Sequence, residues 1–497
     1  MGGARRRALP WVLSAAAAAI AVLAFAGREY VEELPLGCAF KAKALCAGIF
    51  VQGLSRDRIE AEDSGFDPAF GIMRAKVDEG RKAVTCSILG TGLFSKTAMY
   101  VEGLGPVLLT SVSEARLRAR AAEWLGGRRG PSGASAGAAV PAVRPRARPW
   151  PEGEGDPTPA TPDGRFGRAL KATLDTAFAE ASPESTKLKR TRAIVVVHGG
   201  RIAAERYAEG IGRDTRLLSW SMAKSFTNAM VGILVRQGRL DIRAPAPVPE
   251  WSAPGDPRRA ITTDVLMRMS SGLGWYEEYA DHPISDVNRM LYLEPDAAAF
   301  AAGKRPAAKP DTLWSYSSGS ANIVSRIVKD RIGSETAYLD FPYRELFDRI
   351  GMRSAVFGTD PTGTYIGSSF IYATARDFAR FGLLCLRDGV WEGDRILPEG
   401  WIAYSTSPTA GAPRGVYGAL FWLNRGSPAK PSDRRFPDMP TDLFWAEGYQ
   451  GQEIFVCPSL DLVAVRLGMT WESDWGEAAF LSALRKAISD APAAGER

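Results

Sequence analysis

The chain has 497 residues, 45% of them hydrophobic and 24% charged, a balance that excludes a disordered protein and a length that exceeds one average domain. Its net charge of +6 arises within residues 113–150, which hold eight arginines against two glutamates and leave the rest formally neutral. That region runs into Pro, Ala and Gly, so the charge reads as a solvated linker and not as a folded basic face, and no nucleic-acid partner is expected.

In chain order, Arg5, Arg6 and Arg7 precede an uncharged run from Ala8 to Gly27. The run is long enough to span a bilayer as a helix, and the arginines favour a cytoplasmic N-terminus. The stretch "AFAG" also resembles a signal-peptidase site. Residues 1–27 are therefore expected to be a membrane anchor or a signal peptide. Both readings export the chain, to the inner membrane facing the periplasm or to the periplasm itself. The membrane is a partner only if the run stays uncleaved.

Residues 28–125 form an N-terminal extension whose role the sequence does not give. "CAGIFVQGL", "VTCSILGTGL" and "TAMYVEGLGPVLL" read as short strands. Of the five cysteines, Cys38 and Cys46 lie close enough in sequence for a small disulfide loop, which export permits. Cys385 and Cys457 read as small core residues. With two histidines and no CxxC pair, no metal site is expected. Residues 126–165 read as a Pro/Ala/Gly/Arg-rich linker. A GxSxG match inside it, Gly133–Gly137, lacks the strand and helix of a nucleophile elbow.

The remaining domain, 166–497, carries a hairpin at each end. "RAIVVVHGGRIAAERY" turns at Gly199-Gly200, and "GQEIFVCPSLDLVAVRLG" turns at Pro458–Asp461 before a last helix. Mostly helical sequence lies between. The expected fold is α+β: one antiparallel sheet built from both chain ends, flanked by helices, with a mainly helical insertion.

"LLSWSMAKSFTNAMVGILV", residues 217–235, carries the chemistry. Met222, Phe226, Met230, Ile233 and Leu234 recur at helical spacing, with Ser221 at the start. Ser221 could be an ordinary N-cap. A cap does not explain Lys224, a cation in the first turn, where the helix dipole disfavours it. Three residues apart, the two side chains share a face. A lysine of lowered pKa can take a serine's proton, and the helix start can stabilise an oxyanion. Ser-x-x-Lys alone is a weak signal; a second copy, Ser427–Lys430, falls in a loop. His198 and His282 read as structural.

Three stretches in order, "WSMAKSFTNAM", "LWSYSSGSANIV" and "WAEGYQGQEIFVCP", resemble the serine β-lactamase-related, penicillin-recognising family. Within it they are most similar to the aminohexanoate-dimer hydrolase group. The resemblance spans about 190–470 and implies the β-lactamase/transpeptidase-like fold and a serine hydrolase needing no cofactor. It implies Ser221 as nucleophile, Lys224 as proton acceptor and Tyr316 as second acid/base, its phenolate stabilised by Lys224. Ser318 would hold Lys224. The oxyanion hole would be the backbone N–H groups of Ser221 and Tyr449, after Gly448. Tyr279 matches a substrate-contacting tyrosine. Ala446–Tyr449 departs from the family's Lys-Thr-Gly or His-Thr-Gly, losing the cation that holds a substrate carboxylate. The expected substrate is therefore a small amide or ester. A DD-peptidase or β-lactamase is the alternative if a cation arrives from elsewhere, and a non-catalytic envelope sensor is the alternative of another class.

Overall fold

Gly199 and Gly200 decide the first hairpin. Both adopt positive φ, 59° and 70°, as a two-residue turn matching the strand twist requires. They join β5 (Thr191–His198) to β6 (Arg201–Tyr207). The structure, a computed structural model, describes residues 33–63, 68–128, 148–155, 164–180, 188–279, 284–427, 429–471 and 474–490. The second hairpin joins β9 (Gln452–Cys457) to β10 (Leu462–Gly468). With β7 (Trp422–Leu423) and β8 (Phe444–Gly448) these form a six-stranded antiparallel sheet, ordered β7-β8-β9-β10-β5-β6. The two chain ends meet where Leu462 lies opposite His198 and Val465 opposite Val195.

Strand residues alternate between two cores. Ile194, Val196 and Ala464 pack with Leu170 and Leu174 of α4 (Gly164–Phe178) and with Leu481 and Leu484 of α8 (Glu477–Ser489). Val195, Val197, Val463 and Val465 face the larger core, which includes α5 (Ala223–Arg236), α6 (Ser318–Ile332) and α7 (Ala375–Leu386). The fold is α+β, as expected, with helices on both faces.

The extension departs from its sequence reading at its start. "CAGIFVQGL" falls in a helix, α1 (Glu33–Gln52), not a strand. Cys38, Ala39, Ala42, Leu45 and Cys46 bury one helical face, a spacing that the short apolar window hid. Length and composition would let α1 cross a membrane, but 67% of its apolar window is buried inside the protein. Cys38 and Cys46 are not bonded, and all five cysteines are free. Eight residues of helix separate the two by about 12 Å, beyond disulfide reach; Cys38 instead hydrogen-bonds Cys86. After α2 (Arg56–Asp63), β1 (Met73–Asp78), β2 (Ala83–Ile88), β3 (Lys96–Val101) and β4 (Gly105–Leu108) form a four-stranded antiparallel sheet.

The basic region is not simply solvated. α3 (Glu114–Arg128) carries its arginines onto the main body. Arg120 pairs with Glu335, and Arg128 with Asp340 and Asp348. Within the expected linker, Trp150 is buried, and Arg380 donates to the carbonyls of Pro151 and Gly153. The N-terminal run 1–27 and the GxSxG match lie outside the described residues.

Candidate active site

Ser219 anchors the turn ahead of α5. Its N–H donates to Ile371 O (2.8 Å), and its hydroxyl accepts from Ile371 N–H (3.1 Å). Trp220 follows with φ of 44°, a left-handed conformation that strains a non-glycine residue and recurs at functional sites. Ser221 lies in the 3-10 turn Trp220–Met222 and makes no capping hydrogen bond to the helix. Its hydroxyl turns to Lys224, one turn on.

Lys224 is 1% exposed. Its Nζ lies 2.8 Å from Ser221 Oγ, 2.9 Å from Ser318 Oγ and 3.2 Å from Ser368 O. Burial lowers its pKa to about 8, with the Glu277 carboxylate opposing. A neutral amine has two N–H donors and one lone pair for these three neighbours. Ser368 O is a carbonyl and must accept. Ser318 donates its own proton to Glu277 Oε1 (2.5 Å), so it too accepts from Lys224. The lone pair is left to face Ser221, whose hydroxyl proton it can take.

Glu277 was not singled out by the sequence. It accepts from Ser318 N–H (2.8 Å), Trp275 Nε1 (2.5 Å) and Tyr279 Oη (3.0 Å). Trp275, Glu277 and Tyr279 alternate at period two, the signal that one face of an extended stretch is shared. That alternation is present in "WYEEY".

Tyr316 sits under Lys224, whose Nζ is 4.8 Å from its ring centroid, and stacks on Trp422 at 5.5 Å. Burial first, then the charges of Glu277 and Glu447, push its pKa up, and a hydrogen bond with Ser221 opposes them. The phenol is therefore protonated at rest. The phenolate anticipated from the Lys224 charge is disfavoured, because two carboxylates and desolvation outweigh one ammonium. Tyr279, matched by the resemblance to a substrate-contacting tyrosine, stacks on Tyr449 at 4.9 Å. Burial and Glu277 hold its hydroxyl protonated as well.

Gly448 is required by a close approach. A Cβ there would run into the Ser219 carbonyl oxygen, so only glycine lets the end of β8 lie against the turn that carries Ser221, with Tyr449 next. Ser221, Tyr279, Tyr316, Trp422, Gly448 and Tyr449 line one cavity of about 350 Å3. Its far wall, also missed by the sequence, is acidic. Glu447 lies directly across from Glu453, and Glu477 and Asp474 join them. Arg435 is held by Glu447 (2.6 Å) and Glu477 (3.1 Å). Burial and the neighbouring carboxylates Glu447 and Glu477 push Glu453 up to about 8.

His198 ends β5 against the Phe166 ring, away from these residues; His282 lies outside the described residues. At the second Ser-x-x-Lys copy, the Lys430 N–H donates to Ser427 Oγ in an exposed turn.

Comparison with known proteins agrees with this architecture. Residues 187–483 match the β-lactamase family model. A 6-aminohexanoate-dimer hydrolase from Paenarthrobacter ureafaciens is 25% identical over 305 residues, covering 56% of this chain and 72% of its own. Among solved structures, a proposed 6-aminohexanoate-dimer hydrolase from Bacillus anthracis superposes with a TM-score of 0.51 at 24% identity, covering 60% of this chain and 79% of its own. A penicillin-binding protein homologue from Caulobacter crescentus gives 0.52 at 16% identity, covering 67% and 100%. From the two end hairpins, the helices on both faces of the sheet and the matched span, the chain belongs to the β-lactamase family of serine hydrolases.

Proposed function

We propose that this protein hydrolyses a small amide or ester through an acyl-enzyme on Ser221. The observation that carries the reading is the buried Lys224 amine, 2.8 Å from Ser221 Oγ, with the Tyr316 ring beside it. Lys224 takes the hydroxyl proton as Ser221 attacks the carbonyl carbon. The backbone N–H groups of Ser221 and Tyr449 hold the developing oxyanion, a device in which each donor typically contributes on the order of a hundredfold in rate. Tyr316, protonated at rest, gives its proton to the leaving amine or alcohol and is reprotonated from Lys224. Water then attacks the acyl-enzyme with the same groups acting in reverse. Ser318 and Glu277 orient Lys224, and Tyr279 flanks the scissile bond.

The acidic wall supports a substrate without a carboxylate on that side. Glu447 stands in the stretch where lactam-cleaving relatives carry Lys-Thr-Gly, and anionic substrates would be repelled there. The cation that does reach the cavity, Arg435, is already engaged by Glu447 and Glu477. Penicillin or cell-wall peptide cleavage is correspondingly disfavoured.

The test uses a fluorophosphonate probe and a substrate panel. Labelling that disappears in Ser221→Ala, with turnover of short p-nitrophenyl esters or linear amides, is the expected result. Folded wild-type protein that no serine probe labels would favour a ligand sensor. Rapid turnover of a chromogenic cephalosporin would favour a β-lactamase.

A further inference from the structure

A second, smaller cavity lies between the extension and the catalytic body, on the other side of Trp220 from Ser221. It measures about 40 Å3 and is walled by Phe40, Leu218, Trp220, Phe370 and Met469. Beside Asp63, Arg192 and Gln450, four further polar side chains border it: Lys43 and Gln52 from α1, and Tyr292 and Tyr372 from the body. All are nearly enclosed, at 5%, 8%, 4% and 1% exposure. Among the described residues, none of these four side chains makes a hydrogen bond or an ion pair. Lys43 Nζ has only the face of the Phe370 ring, 3.8 Å from its centroid. The other polar groups at the cavity are satisfied: Arg192 donates to Asp63 (3.2 Å), and Trp220 Nε1 donates to Gln450 Oε1 (3.0 Å).

An enclosed ammonium without a partner is unfavourable, and so is each unpaired phenol or amide. The unpaired groups are mostly donors: three N–H of Lys43 and two hydroxyls, with the Gln52 amide adding its N–H groups and one acceptor, the buried unpaired Oε1. Such a set fits an anion. The aromatic and aliphatic walls fit an alkyl group. The volume is that of about three waters, or an organic ion of about four heavy atoms. Water could satisfy the hydrogen bonds, but the carboxylates near Lys43 do not pair with it: Asp360 acts on its charge without an ion pair, and Asp63, in the cavity wall, is taken by Arg192.

We propose that this cavity is a binding site for a small aliphatic carboxylate, of acetate size, held by Lys43, Tyr292 and Tyr372. The site gives the extension a function, since α1 supplies the charged ligand-binding group and one wall. It adjoins the cavity that Ser221 lines, with Trp220 standing between and Gln450 bordering both.

Thermal melting and titration calorimetry of the full-length protein in sodium acetate test it, with sodium chloride at equal ionic strength as control. The measurements belong at about pH 6, below the value of about 7 to which burial lowers Lys43. Acetate should raise the melting temperature saturably and chloride should not. Hexanoate should fail on size. Lys43→Met, and separately Tyr372→Phe, should weaken acetate binding roughly tenfold, the loss expected for one charge-assisted hydrogen bond. If Lys43→Met does not fold, the Tyr292→Phe/Tyr372→Phe double variant carries the same test. Equal melting in acetate and chloride would mean a water-filled cavity and overturn the proposal. An acetate affinity unchanged in Lys43→Met or in the double variant would also overturn it, because binding would then be elsewhere.

Discussion

On the proposed mechanism, Lys224 serves as a base at the expense of the fold. Its pKa of about 8 lies below the ordinary 10.5, so between those values the folded chain holds fewer protons than the unfolded one. Stability therefore rises with pH across that window, and below about pH 8 the full penalty stands, up to about 3 kcal/mol. Lys224→Met should be inactive yet more stable than wild type in denaturant melts at pH 7. For the reaction the sign is the same: the neutral amine is the base, so kcat/KM should rise about tenfold per pH unit until about pH 8 and then level. Ser221→Ala should lose at least about a thousandfold in rate. Glu277 acts on the same titration. Its carboxylate raises Lys224's pKa, so Glu277→Gln should move the acidic limb to lower pH while reducing kcat. A purely structural role for Glu277 would leave the limb in place.

At the scale of elements, the start of α5 and the end of β8 must touch for the site to exist. Gly448→Ala would drive a methyl group into the Ser219 carbonyl and push the strand end away from the nucleophile. The expected result is a loss of kcat of at least about tenfold, one oxyanion donor being misplaced, with KM for small esters changing less. Gly382 on α7 makes a similar close contact with Val463 of β10. Gly382→Ala should destabilise by about 1–3 kcal/mol, measured by urea melts, without altering the pH profile. These elements were legible to different degrees. The hairpins and α5 announced themselves through Gly-Gly, Pro-Ser-Leu-Asp and the helical apolar spacing. α1 did not, because its buried face is drawn from Ala and Cys, which mark no period in a nine-residue window.

For the whole molecule, the sequence divided the chain at its composition shifts, but contacts ignore those shifts. Arg120 and Arg128 look like part of a basic tract, yet Arg120 is buried and Arg128 half-buried against acids more than two hundred residues away. No local pattern reports such a partner, just as none reports that Glu277 reaches Ser318. Ser221 and Lys224 were legible because their relation is local, three residues on a helix. The acidic wall was not, because strand register and the return of α8 assemble it. Arg128→Ala leaves Asp348 without its ion-pair partner and Asp340 with Arg344 alone, and should lower the melting temperature, while activity per folded molecule is retained.

The central strand pair has a temporal consequence. β10 is inserted between β9 and β5, so a strand begun at Thr191 waits for one that ends at Gly468. Nearly the whole chain must leave the ribosome before that seam can close, and a closure of such sequence separation is intrinsically slow. Until then the hydroxyl that would become the nucleophile has no strand beside it to hold an oxyanion. On the proposed mechanism, truncation anywhere before the final strand should yield a product that is both unfolded and inert.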